Sequence, residues 1–315
     1  RAPAGTRLTA WPVPSRLMDL LGTTGALSAD RAVGGCDLFH HTDYVLPEVS
    51  PRTPQVMTLH DLAFLRNGWH TARDAYSLSR IVARARRRCA GFLVPSARTA
   101  RDCVERLGLA EDRVFVTPLG VEQRFFAAAR SEPDAGARPY LLALGTVEPR
   151  KNHVRLMRAF ESVAAKVPDV ELHIAGPWGW RFEEVRAAHA RSKVRDRIRF
   201  LGHVPDDRLA TTIAGAAGVC YVSLFEGFGL PVLEAMAAGV PVVTSDIDPM
   251  REVAGNSAVL VDPYDVDAIA DGLSSLLLDE ALRRRLRQLG PARARTFDWA
   301  TCATATLAAY EALAA

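Results

Sequence analysis

The chain has 315 residues, of which 49% are hydrophobic and 24% charged. That is the composition of a globular protein with room for two domains, each able to bury its own core. The net charge is +3, too small to indicate a nucleic-acid partner. It is unevenly spread: residues 1–138 carry 19 basic against 14 acidic side chains, and residues 139–315 carry 20 against 22. The five cysteines (Cys36, Cys89, Cys103, Cys220, Cys302) are scattered and odd in number, with no CxxC. This speaks for reduced thiols in a cytoplasmic protein and against a disulfide or zinc framework. No apolar run approaches the roughly 18 residues of a membrane span, and no signal peptide is visible.

Taken in order, residues 1–35 are rich in Pro, Gly and small side chains, with one short helix expected over 16–21. Strands are expected at 37–40, 55–59, 91–95 and 113–117. Between them lie a helix over 71–89 and one capped by Ser96 that runs to Leu107. Residues 127–138, AAARSEPDAGAR, read as a linker. A second alternating unit follows. Its strands are expected at 140–144, 170–175, 198–201, 219–222, 240–244 and 258–261. Its helices are expected to be capped by Asn152 and Asp206 and to cover 182–191 and 265–278, with two more closing the chain at 280–295 and 299–313. Strands separated by helices of this size build parallel, doubly wound α/β sheets. Such sheets bind ligands at the carboxyl ends of their strands, where the strand order reverses.

The stretch with most chemistry is YVSLFEGFGLPVLEAMAAGVPVVT, from Tyr221 to Thr244. A strand enters the loop Leu224-Phe225-Glu226-Gly227-Phe228-Gly229, and Pro231 opens a short helix ended by Gly239. The expected N-cap, Leu230, has no side-chain acceptor, and Gly229 has no side chain. The first N–H groups of this helix are therefore free to bind an anion such as phosphate. Glu226 and Glu234 flank that point. The plainer reading has Glu234 offsetting the helix dipole and Glu226 in solvent. A second loop, Gly145 to Asn152, leaves the first strand of the second unit and carries Arg150 and Lys151. Two cations facing a helix N-terminus would clamp a diphosphate; otherwise they are solvated basic residues before a helix.

LGTVEPRKN, followed about 70 residues later by LFEGFGLPVLEAMAAGVPVV, is very similar to the retaining nucleotide-sugar glycosyltransferases of family 4, which have the GT-B fold. Met57-Thr58-Leu59-His60-Asp61-Leu62, Val94-Pro95-Ser96-Ala97, Pro118-Leu119-Gly120-Val121, Arg199 to Val204 and Glu252-Val253-Ala254-Gly255 extend the likeness. The resemblance implies an acceptor-side domain over 1–126, a linker over 127–138 and a donor-binding domain over 139–297. A last helix over 298–315 would cross back to the first domain. It implies that Gly145, Arg150 and Lys151 face the diphosphate and that the cations neutralise it. Glu234 would accept hydrogen bonds from the ribose hydroxyls, and Glu226 would lie by the donor sugar. The backbone at Phe228, Gly229 and Leu230 would face sugar and phosphate. Gly202, His203 and Val204 would lie beside the base, and His60 would reach the sugar from across the cleft. The implied reaction moves a hexose, with mannose from GDP-mannose as the leading example, onto a glycan or lipid-linked acceptor. It needs no metal or other cofactor, and the departing phosphate takes the acceptor's proton on the same face.

Three features depart from the family. The chain starts downstream of the usual first strand and Gly-rich loop, so a shortened first domain is expected. Val222 stands where Pro is usual, and Thr146 where many members have Arg. Other signals weigh less. Asp246-Ile247-Asp248 is the metal signature of a different glycosyltransferase fold, and His40, His41 and His60 lack metal-ligand company. The arginines from Arg80 to Arg88 form a solvated face or a patch for an anionic membrane surface. Trp178 and Trp180 close a turn or line the cleft. The alternatives to a transferase are another GT-B enzyme, such as an epimerase or phosphorylase, and a silent sugar-nucleotide-binding module.

Overall fold

The computed structural model describes residues 28–66, 68–129 and 138–314. The expected 16–21 helix and most of the expected linker lie outside these ranges. The chain builds two parallel sheets. The first runs in the order β1 (Phe39–His41), β2 (Gln55–Thr58), β3 (Gly91–Val94), β4 (Val114–Val116). Its central strands alternate their burial between two apolar layers. Met57, Phe92 and Val94 face the helices over Ala72–Arg88 and Ala97–Leu107. Val56 and Leu93 face Ala309, Tyr310 and Leu313 of the C-terminal helix, Trp299–Ala314. That helix thus covers the second face of the first sheet, and Gly91 leaves room for Leu313, whose Cδ1 would sit 2.7 Å from any added Cβ.

The second sheet has the order β10 (Val259–Val261), β9 (Val242–Ser245), β8 (Gly218–Tyr221), β5 (Tyr140–Leu144), β6 (Glu171–Ala175), β7 (Ile198–Gly202). Its strand order reverses between β5 and β8, which are neighbours. Period-two alternation splits the strands cleanly. Leu141, Ala143, Cys220 and Val222 face one core, while Leu142, Leu144, Val219 and Tyr221 face the other.

Several local expectations need correcting. Asn152 does not cap its helix with its side chain. It sits in the left-handed region (φ 62°), and its Nδ2 donates to the carbonyls of Val222 (3.0 Å) and Pro263 (2.7 Å). Two buried carbonyls outbid the helix terminus for this amide. Pro205, not Asp206, is the N-cap of the helix over Asp206–Ala214. Residues Gln123–Ala128, split above between first domain and linker, form a helix whose Phe125 is buried in the second unit's core. Ser96 does cap its helix, its Oγ accepting from Thr99 N at 3.1 Å. Where the units meet, segments 118–122 and 296–299 run side by side. Val121 N donates to Phe297 O (3.1 Å), and a Cβ on Gly120 would lie 2.3 Å from Trp299 N.

Candidate active site

The reversal between β5 and β8 sets the place of the site. Both charged loops emerge from the carboxyl ends of these two strands. After β5, Gly145 adopts φ +119°, and a Cβ there would come within 3.0 Å of Lys151 Cε, so the glycine makes room for the lysine side chain. A turn of 3-10 helix over Pro149–Lys151 then presents both cations. After β8, the loop reaches Gly229, which has φ +118° and is the N-cap of the helix Leu230–Ala237. The cap is thus one residue earlier than expected. No side chain caps this helix, and among the described residues the amides of Phe228, Gly229 and Leu230 donate to no protein acceptor. They form the positive end of the helix dipole and remain available to an anion.

Glu226 joins the two loops. Its Oε2 accepts from Arg150 Nη1 (2.7 Å) and its Oε1 from Lys151 Nζ (2.7 Å). Lys151 Nζ also donates to Tyr221 Oη at 2.6 Å. Arg150 is further held by Glu148 Oε1, through Nε (3.1 Å) and Nη2 (2.8 Å), and by the carbonyl of Phe225 (3.0 Å). Burial alone would raise the Glu226 pKa, but Lys151 and Arg150 outweigh it and hold the carboxyl at about 2. Burial, with the Glu226 charge beside it, keeps the Tyr221 phenol neutral. Tyr221 and Glu148 were not singled out in the sequence. The one available signal for Tyr221 was a polar tip at the carboxyl end of an otherwise apolar strand.

Glu234 is different. It projects from the second turn of the Leu230–Ala237 helix, half-buried, with no hydrogen-bond or ion-pair partner among the described residues. Burial raises its pKa to about 7, against the lowering effect of Arg124 and with Glu122 and Asp206 adding to the rise. Arg124 Nη1 and Nη2 are spent on Asp206 O (2.8 Å) and Glu122 Oε1 (3.0 Å), and its buried Nε has no partner.

Three glycines bind the rim together. Gly145 N donates to Ala175 O (2.9 Å), and Gly176 N to Gly202 O (2.8 Å). Gly202 (φ +67°) has open space where a side chain would be. His203 beside it is exposed and Val204 half-buried.

The first unit reaches the same loops. Ser96 Oγ (2.7 Å) and Thr99 Oγ1 (3.1 Å) both donate to Gly227 O, and a Cβ on Gly227 would lie 1.8 Å from His60 O. The His60 ring itself is exposed and donates from Nε2 to Thr42 O at 3.0 Å. Trp180 Nε1 donates to Trp69 O (3.1 Å), and Trp69 packs on Phe225 with centroids 5.2 Å apart. Trp178, by contrast, packs on Phe182 and Phe200 of its own unit. The Asp-x-Asp carboxylates are both engaged: Asp246 with Arg251 and Asp248 with Arg101, each at 2.6 Å. Within the arginine run, Arg84 (2.7 Å) and Arg88 (2.5 Å) pair with Glu48. His40 is held by Tyr310 Oη (2.6 Å) and Thr58 Oγ1 (2.8 Å), and burial lowers its pKa to about 4. Among the described residues no group of three or more His, Cys, Asp or Glu could hold a metal, and no helix is long and apolar enough to cross a membrane.

Residues 126–293 match the family of glycosyl transferases group 1, and residues 1–125 match glycosyltransferase family 4. The chain belongs to this glycosyltransferase family. It is 30% identical to O-antigen chain mannosyltransferase B of Escherichia coli over 285 residues, 88% of this chain and 74% of that one. It is 36% identical to the phosphatidyl-myo-inositol mannosyltransferase of Mycobacterium tuberculosis over 215 residues, 65% of this chain and 56% of that one. Among solved structures, a glycosyltransferase from Rickettsia africae superposes with a TM-score of 0.74 at 15% identity, covering 98% of this chain and 84% of that chain. The Anabaena protein HepE, solved with UDP and glucose, superposes at 0.72 with 18% identity, covering 94% and 81%. At these identities the structures establish the fold, and that fold is GT-B.

Proposed function

We propose that this glycosyltransferase takes a nucleotide sugar as donor and transfers its hexose, with retention, to a glycan or lipid-linked acceptor. One observation carries the reading. Free main-chain amides at Phe228–Leu230 and the cation Lys151 stand on the two loops that leave β8 and β5, where the strand order reverses, and the unpartnered carboxyl of Glu234 lies one turn further along the helix those amides open. The amides and Lys151 suit a diphosphate, and Glu234 suits the paired hydroxyls of a ribose. Glu226, beside Lys151, is the carboxylate nearest the phosphate end and suits a hydroxyl of the donor sugar. The loop at Gly202, His203 and Val204 leaves space for the base. His60, across the cleft, lies on the acceptor side.

Breaking the glycosyl–phosphate bond builds negative charge on the leaving diphosphate. In this reading Lys151 and the helix amides face that charge, and they would stabilise the transition state more than the ground state. Glu226, tied to Arg150 and Lys151, does not suit the part of a nucleophile. Retention then follows from attack of the acceptor hydroxyl on the face the phosphate leaves, the phosphate oxygen taking the proton. The relatives named above as mannosyltransferases favour mannose, and GDP-mannose is the first donor to test. For a lipid-linked acceptor, the exposed side of the Ala72–Arg88 helix, with Tyr76, Arg80, Arg86 and Arg87, would meet an anionic surface. Cytoplasmic work, where sugar nucleotides are made, is part of the same proposal.

The test is a thermal-shift and donor-hydrolysis panel with GDP-mannose, UDP-glucose and ADP-glucose. Stabilisation by one donor together with its slow hydrolysis is the expected result. Stabilisation without hydrolysis, even with added acceptor glycans, would replace the transferase by a silent binding module. No response to any donor would overturn the reading.

A further inference from the structure

Glu226 occupies both cations that the sequence assigns to a donor diphosphate, Arg150 and Lys151. The two contacts are not equivalent. Arg150 makes four hydrogen bonds to protein acceptors: two to Glu148, one to Phe225 O and one to Glu226 Oε2. Its guanidinium is locked between the two loops, with side-chain exposure of 15%. Lys151 makes only two, to Glu226 Oε1 and to the neutral Tyr221 hydroxyl. A lysine ammonium is a compact charge that can swap partners, whereas a guanidinium fork held at four points cannot do so without breaking all of them.

We infer that Glu226 is an internal counter-ion that competes with the donor's β-phosphate for Lys151, while Arg150 never leaves it. This rests on the nucleotide-sugar reading above. As the diphosphate seats on the amides of Phe228–Leu230, Lys151 exchanges Glu226 Oε1 for a phosphate oxygen. Tyr221 Oη stays on Nζ and keeps the ammonium in place through the exchange. Oε1, released, becomes free to accept from a hydroxyl of the donor sugar. Glu226 is 7% exposed, and a carboxylate so deep cannot be left without a cation; Arg150 supplies it, and Glu148 in turn neutralises the second half of the Arg150 fork. The site therefore charges a nucleoside diphosphate for displacing Glu226 and recovers part of that cost only when a sugar is attached. Selectivity for the sugar-bearing donor over its own spent nucleotide follows.

The experiment is calorimetry of GDP, UDP, GMP and UMP with the whole chain and with Glu226→Gln and Glu226→Asp. Removing the competing charge is expected to tighten the better nucleoside diphosphate by roughly tenfold, the low end for a close charge pair. The matching monophosphate, which lacks the β-phosphate, should bind as before, and donor turnover should fall. If Glu226→Gln does not fold, because it strips Arg150 of one of its two anions, Glu226→Asp carries the test: it keeps that charge for Arg150 but is one methylene too short to hold Lys151 as well. Diphosphate affinity that is unchanged or weaker in the folded variant overturns the exchange. Equal tightening of the monophosphate also overturns it. If the unaltered chain and both variants bind neither GDP nor UDP, the nucleotide-sugar reading itself falls, so the two failures are distinct.

Discussion

Replacing Glu234 by Gln should move stability and binding in opposite directions. Folded Glu234 keeps its proton up to about pH 7, against an ordinary 4.5. Between those values the folded state binds more protons than the unfolded chain. Stability therefore falls as pH rises through the window and is flat above it. A shift from 4.5 to about 7 corresponds to roughly 3 kcal/mol. Gln cannot ionise, so the variant escapes this loss. Relative to the unaltered chain it should gain up to about 3 kcal/mol on going from pH 5 to pH 8, or up to about 5 °C in melting temperature for a chain of this size. Nucleotide binding should go the other way. In the proposed site the ionised carboxylate would accept from two ribose hydroxyls, and losing charge-assisted bonds of about 1.5–3 kcal/mol should weaken GDP or UDP about 10–100-fold at pH 8. Below pH 7 the unaltered chain should lose affinity more steeply than the variant, because only the former must shed a proton; the phosphate's own titration is common to both. Melting curves at pH 5 and 8 with and without nucleotide measure both effects. A variant with the same stability deficit at both pH values, or with affinity within about twofold at pH 8, would refute this account of Glu234.

Three further outcomes can be measured. Lys151→Ala should slow single-turnover cleavage of the donor by about 10²–10³-fold while weakening ground-state binding much less, because its charge matters most as the diphosphate leaves; unchanged cleavage would count against it. Gly227→Ala should open the two units, since its Cβ would lie 1.8 Å from His60 O. A larger radius of gyration by solution scattering, lost transfer and weaker donor binding are expected; compact and active protein would be inconsistent with the packing. Asn152→Ala strands two buried carbonyls that its amide now satisfies at 3.0 and 2.7 Å. Urea unfolding should show a loss of about 2–4 kcal/mol, and a loss within experimental error would deny it a structural role.

The charged loops and the uncapped helix were legible in the sequence because each is a local pattern. Pro231 and Gly239 bracket the helix, and Gly229 removes any cap. That Arg150 and Glu226 share one pocket was not legible from spacing. It depends on β8 lying beside β5, a strand order that no local signal encodes. Asn152 shows a second limit: Asn before a helix reads as a cap, but the tertiary carbonyls of Val222 and Pro263 compete for the same amide. Phe125 shows a third. Its helix abuts a stretch poor in large apolar residues and was not expected, although Phe125 and Phe126 were themselves the sign of a packed helix. The first unit's hold on the site was invisible for the same reason as the strand order. Ser96 looked like a cap and is one, yet its hydroxyl also binds Gly227 O.

That double duty of Ser96 bears on how the two units cooperate. The loop from Phe225 to Gly229 belongs to the second unit, but three of its neighbours do not: Ser96, Thr99 and Trp69 all come from the first. Gly227 O sits at the N-terminus of the Ala97–Leu107 helix, where the dipole favours it, while the N–H groups of the next three residues are left for a phosphate. One short loop thus points its carbonyl at one unit and its amides at the other's ligand. A shift of the first unit would turn the Gly227–Phe228 peptide, whose carbonyl it holds and whose N–H belongs to the proposed diphosphate site. If the second unit binds a donor diphosphate at these amides, as proposed, an acceptor on the first unit would be felt at the donor through the backbone between Gly227 and Leu230.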